Sequence, residues 1–212
     1  MVVKMEMMVD TKRDVRILKP GEFSLLLNST PAKDRVNLQV LLYTGMRYVE
    51  AQACQEHPEW YDQEANKIKL PPCIQRKKKQ KNKDIRVIYL SFQAKMIMPF
   101  FFTSGKDITE EMKLIRKLPT RVGWDQNIKR WAIKSGIGPT GISAKTTRKT
   151  WESWILAYYG GKATIPICVA QGHTTMISIK HYASNPFSEK EIDQMKEFVF
   201  GWNGIEKKRD DE

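Results

Sequence analysis

Residues 171–183 read QGHTTMISIKHYA, and the spacing inside this stretch decides how the chain around it must fold. His173 follows a glycine, and Tyr182 comes nine residues later. At 100° per residue, one continuous helix would hold the two side chains about 180° apart, so they could not share a target. The intervening TTMIS is rich in β-branched and hydroxyl residues and permits a break that brings both to one site. Alone, a histidine and a tyrosine beside an apolar segment are core packing more often than chemistry. The weight of the stretch depends on what accompanies it.

Two further stretches do. KTTRKTW, residues 145–151, sets Lys145 and Arg148 three apart, on neighbouring positions of one helix surface. Trp151, Trp154, Ile155 and Tyr158 continue as an i, i+3, i+4, i+7 stripe, with Ser143 the expected cap and Gly160 and Gly161 the expected end. Arg148 adds a charge to that apolar stripe, and an arginine on a buried face needs an anionic partner. Earlier, DRVNLQVLLYTG places Val36, Val40 and Tyr43 at helical spacing and stops at Gly45. A second helix can begin at once with MRYVEAQAC, which puts Arg47 just past a tight turn and Glu50 one helical turn after it.

In order and approximate separation, these three boxes together resemble the tyrosine recombinases, or phage-type integrases, over roughly residues 18–188. The resemblance implies a mainly α fold with a small three-stranded antiparallel β-sheet (α+β). It implies an enzyme that cuts and rejoins double-stranded DNA through a covalent 3′-phosphotyrosine, with Tyr182 as nucleophile and Glu50 as the acidic companion of Arg47. The family's general acid sits on a hairpin tip, which places it at Lys81, with Lys79 the alternative. Most members have histidine where Lys145 stands. A lysine there is similar to integrases of archaeal viruses and plasmids, and to poxvirus type IB topoisomerases. Family members assemble as tetramers on paired sites and exchange a C-terminal segment, for which EIDQMKEFVFGW is the candidate; a monomer is expected without DNA. The core-binding domain that precedes the catalytic domain in full-length integrases has no counterpart, so the chain reads as a catalytic fragment.

The chemistry explains the residue types. Attack of a phenol oxygen on a phosphodiester puts charge on the nonbridging oxygens, removes a proton from the tyrosine and delivers one to the departing 5′-oxygen. Arg47 and Arg148 suit the first task as guanidinium forks that stay protonated, and His173 can add a hydrogen bond. A lysine suits the last. Lys145 is expected to supply positive charge and a hydrogen bond rather than to relay a proton. The reaction needs no metal or cofactor, and none is expected. His57 and His181 belong to no motif and read as structural or surface residues.

Between the boxes the period changes. WYDQEANKIKLPPCIQ holds two short extended runs around DQEAN, and DIRVIYLS is a third, with Val87 and Tyr89 alternating. RKKKQKNKDIR, seven basic residues in eleven, lies between the second and third runs as a hairpin tip. Its Lys77, Lys78, Lys79 and Lys83 are expected to contact DNA. AKMIMPFFF, EEMKLIRKL and VGWDQNIKRWAIK read as helices. Pro20 and Glu22 suit a first helical turn, so residues 1–17 read as an extension, 18–188 as the catalytic domain, and 189–212 as a C-terminal helix and tail that protomers could exchange.

Composition agrees. A net charge of +12 on 212 residues favours a polyanion partner, and 41% hydrophobic content supports a full core. No apolar run approaches the roughly 20 residues that span a bilayer, so no membrane partner is expected. Cys54, Cys73 and Cys168 are odd in number and unpaired in spacing, and the first ten residues lack a signal peptide's apolar region. The expected setting is reducing, cytoplasmic and DNA-associated. Two rival readings share these features: a type IB topoisomerase, and a DNA-binding module of the same fold without catalysis.

Overall fold

The structure, a computed structural model, describes residues 11–12, 15–75, 84–102, 117–172, 187–202 and 204. A short hairpin of β1 (Thr11–Lys12) and β2 (Val15–Arg16) leads into α1 (Pro20–Ser29), where the Glu22 carboxylate accepts from the Lys19 backbone N–H at 2.9 Å and completes the first turn. Val15, Arg16 and Ile17 are already buried, so packing begins before the boundary expected at Leu18. The charge of Arg16 hid this. Its guanidinium is covered because it bonds the Ile137 carbonyl at 2.5 Å and pairs with Glu22.

Helix α2 (Ala32–Thr44) packs against α4 (Phe92–Phe102) and α6 (Thr146–Tyr159), with Leu38, Leu41 and Leu42 fully covered. Gly45 ends α2 as expected, at φ +60°. A Cβ there would also lie 2.6 Å from the Trp151 ring, so the glycine lets the next turn press against α6. Helix α3 (Tyr48–Glu56) begins at once, with Arg47 as its N-cap.

The three expected extended runs form one antiparallel sheet: β3 (Tyr61–Asp62), β4 (Lys67–Leu70) and β5 (Arg86–Tyr89), in that order. The phase of β5 differs from the sequence reading. Val87 and Tyr89 are half-buried, whereas Arg86 and Ile88 are buried opposite Leu70 and Ile68. A charged residue thus occupies an inward position, which apolar alternation alone would never assign.

Helix α4 carries Pro99 within it, and α5 (Arg121–Lys134) starts at Thr120, whose hydroxyl accepts from Gly123 N–H at 3.2 Å. Of EEMKLIRKL, residues 110–116 lie outside the described residues. In α6 the stripe is as read: Trp151, Trp154 and Ile155 are buried and Tyr158 half-buried. Ser143 does not cap the helix, because the chain between it and Thr146 is a turn in which Ser143 Oγ accepts from Lys145 N–H at 3.3 Å. Lys145 takes the cap position. Helix α7 (Thr164–Gln171) was not legible in the sequence; its Pro166 sits in the first turn, where a missing N–H breaks no helical bond.

Helix α8 (Glu189–Val199) is capped by Ser188. Phe198 meets Phe23 and Trp154 at ring separations of 5.8 and 5.1 Å, and the Trp202 indole donates to the Tyr89 carbonyl at 3.0 Å. The apolar face of α8 packs against α1, α4 and α6. The result is a mainly helical body with a small antiparallel sheet, as the sequence led us to expect. Among the described residues no helix is long and apolar enough to cross a membrane.

Candidate active site

Four chain segments meet around Glu50 and three arginines. Glu50, in the first turn of α3, is fully buried and accepts from both the backbone N–H and the guanidinium of Arg47, at 2.8 and 2.6 Å. This ties the arginine's side chain to the helix start that positions it. The second oxygen of Glu50 also pairs with Arg86 of β5 at 2.5 Å. Arg148, one turn into α6, donates to the Gly45 carbonyl at 2.7 Å and so fixes α6 to the turn before Arg47.

The fourth segment is the end of α7. The Gln171 carbonyl accepts from Arg148 at 2.8 Å, from Arg86 at 3.3 Å and from Arg47 at 3.4 Å. A carbonyl at a helix C-terminus carries partial negative charge, which suits three guanidiniums. Gly172 then turns the chain at φ +63°.

Three guanidiniums around one carboxylate leave surplus positive charge. Burial would raise the Glu50 carboxyl, but Arg86, Arg47 and Arg148 outweigh it and hold the group below the usual glutamate value. Burial also lowers Arg86, against the opposing pull of Glu50. Arg148 is brought down to about 9 by burial and then by Arg47, which leaves it protonated at neutral pH. The excess of positive charge favours an anionic ligand.

An open cleft of about 590 Å³ runs past the cluster, lined in part by Arg47, Arg121, Lys145, Arg148, Lys149 and Gln171. Ile74 also lines it, two residues before the lysine-rich segment. The structure thus brings together Arg47, Glu50, Lys145 and Arg148 from the residues singled out in the sequence. His173, Tyr182, Lys77, Lys78, Lys79, Lys81 and Lys83 lie outside the described residues. Arg86 and the Gln171 carbonyl were missed. Arg86 could have been found as a charge in phase with Ile88 on a strand; nothing in the sequence marks a particular carbonyl as an acceptor. Among the described residues no group of three or more His, Cys, Asp and Glu side chains could hold a metal ion.

The fold is that of tyrosine recombinase catalytic domains. XerA recombinase has a similar structure, with a TM-score of 0.58 at 16% identity over 85% of this chain and 64% of that one. So has the Tn1549 transposon integrase, solved as residues 82–397 in complex with circular intermediate DNA, with a TM-score of 0.57 at 17% identity over 89% of this chain and 68% of that one. This chain spans just under two thirds of the XerA structure, and at these identities the likeness is one of fold. No family model matches the sequence, and no curated protein matches it significantly.

Proposed function

We propose that this chain is the catalytic domain of a site-specific DNA recombinase that cleaves and rejoins strands through a 3′-phosphotyrosine on Tyr182. The observation that carries the reading is the pairing of Arg47 and Arg148 beside one basic cleft, both bonded to the carbonyl two residues before His173. Their forks bind the nonbridging oxygens of the scissile phosphate, and His173 adds a third donor. The Tyr182 oxygen forms its bond to phosphorus as the bond to the 5′-oxygen breaks; the phenol gives up its proton to water, and Lys81 delivers one to the leaving oxygen. Glu50 holds Arg47 in place. Lys145, at the mouth of the cleft, adds charge near the phosphate, and its presence in place of histidine supports kinship with integrases of archaeal viruses and plasmids. Lys77, Lys78, Lys79 and Lys83 contact the DNA backbone.

On this reading residues 18–188 are the catalytic domain, with 189–212 a C-terminal helix and tail. The partner is double-stranded DNA inside the cell; the free protein is a monomer, and paired sites assemble four copies. The test uses a pool of nicked duplexes with a randomised central segment, from which denaturant-resistant protein–DNA adducts are recovered and sequenced, with Tyr182→Phe as control. Adducts from wild type alone, enriched for one sequence, are the expected result. Adducts without sequence preference, together with supercoil relaxation, would instead indicate a type IB topoisomerase. Tight binding without any adduct would indicate a noncatalytic module.

A further inference from the structure

Arg86 is the charge whose position the proposed chemistry does not by itself explain. It lies on the inward face of the sheet, opposite Leu70 and in phase with Ile88, where an apolar residue would normally sit. Its guanidinium spans two segments: one nitrogen pairs with Glu50 at 2.5 Å and the other donates to the Gln171 carbonyl at 3.3 Å. Gly172 fits tightly against the same side chain, since a Cβ there would stand 3.2 Å from both Cδ and Nη1 of Arg86. That contact and the φ of +63° both call for glycine immediately before His173.

We infer that Arg86 is a positioning residue for strand cleavage: it locks the start of α3, the strand that follows the lysine-rich segment, and the turn before His173 into one arrangement. The inference rests on the function proposed above. Each segment it joins adjoins a proposed participant: Arg47 caps α3, Lys81 precedes Arg86 by five residues, and His173 follows Gly172. A planar guanidinium can hold two acceptors at a fixed separation; a lysine ammonium keeps the charge without the fork. Small displacements of reacting groups have large kinetic effects, about 10²-fold for an ångström.

The experiment measures single-turnover adduct formation at saturating protein, on the duplex recovered from the random pool, for wild type, Arg86→Met and Arg86→Lys. Expected are DNA affinity unchanged within about twofold and adduct formation slower by ~10-fold to 10²-fold in Arg86→Met, with part of the loss restored in Arg86→Lys. The pH profile adds a readout that a purely structural role would not move. Among the described residues the charged groups acting on Glu50 are Arg47 from the start of α3, Arg86 from β5 and Arg148 from α6. Losing Arg86 raises the pH at which Glu50 takes up a proton, so the acid limb of Arg86→Met moves to higher pH. Wild-type rate and acid limb in a folded Arg86→Met overturn the inference, as do equal losses in both variants with the limb unmoved. If Arg86→Met does not fold, Arg86→Lys decides: a slower rate at an unchanged melting temperature supports the inference, and an unchanged rate overturns it. Wild-type protein that forms no adduct overturns the functional reading itself, whereas active wild type with unaltered variants overturns only the role of Arg86.

Discussion

Replacing Glu50 by glutamine removes the single carboxylate that neutralises Arg47 and Arg86 while keeping its shape. The side chain is fully buried, and three donors point at it: the Arg47 backbone N–H, the Arg47 guanidinium and the Arg86 guanidinium. Glutamine leaves one acceptor oxygen and turns its amide nitrogen toward a donor. Breaking a buried pair by altering one partner costs about 3–5 kcal/mol, and the retained oxygen places this change near 3. With a urea slope of about 2 kcal/mol/M, the unfolding midpoint at pH 7 should fall by ~1.5 M. The loss should also depend on pH. Glu50 has a folded-state pKa below its unfolded value, so its stabilisation is full above the unfolded value, about 4.3, and disappears as pH falls through the lower folded one. The gap between urea melts of the two proteins should therefore narrow as pH falls from 7 to 3.5. Equal midpoints at pH 7, or a gap that stays constant down to pH 3.5, would refute the assignment of Glu50 as the ionised centre of the cluster.

Other outcomes follow from the same geometry. Gly45→Ala places a Cβ 2.6 Å from the Trp151 ring at a φ of +60°, and should destabilise the fold by about 2–4 kcal/mol, read as a lower thermal midpoint. Trp202→Ala removes a buried indole and its bond to the Tyr89 carbonyl, and should lower stability by about 3–5 kcal/mol in chemical denaturation. Of the three cysteines, Cys73 alone is exposed, while burial, helped by Glu59, pushes the Cys54 thiol up to about 12. Thiol titration at pH 8 should find one fast group in the native protein and three after unfolding. Lys145→Met should slow adduct formation ~10²-fold with little change in folding, and wild-type cleavage across pH would remove Lys145 from the mechanism.

What the sequence by itself determined is local or chemical. The turn at Gly45 that sets Arg47 at the start of a helix, the aromatic stripe of α6 carrying Arg148, and the three short strands all follow from residue periodicity and from glycine's access to positive φ. So does the pairing of Glu50 with Arg47, three residues apart on one turn. Tertiary structure decided the rest, because it depends on contacts between residues far apart in the chain. The inward phase of β5 was misread because the environment of Arg86 is made by Glu50 and Gln171, 36 positions before it and 85 after. Helix α7 escaped notice because its stability comes from packing, which a short, proline-containing segment does not advertise. The seat of α8 depends on a groove formed by α1, α4 and α6; an amphipathic pattern states that a groove is needed, but only packing shows where it lies. The acceptor at the centre of the three arginines is a backbone carbonyl, present at every position of every sequence and given its role solely by where the fold puts it.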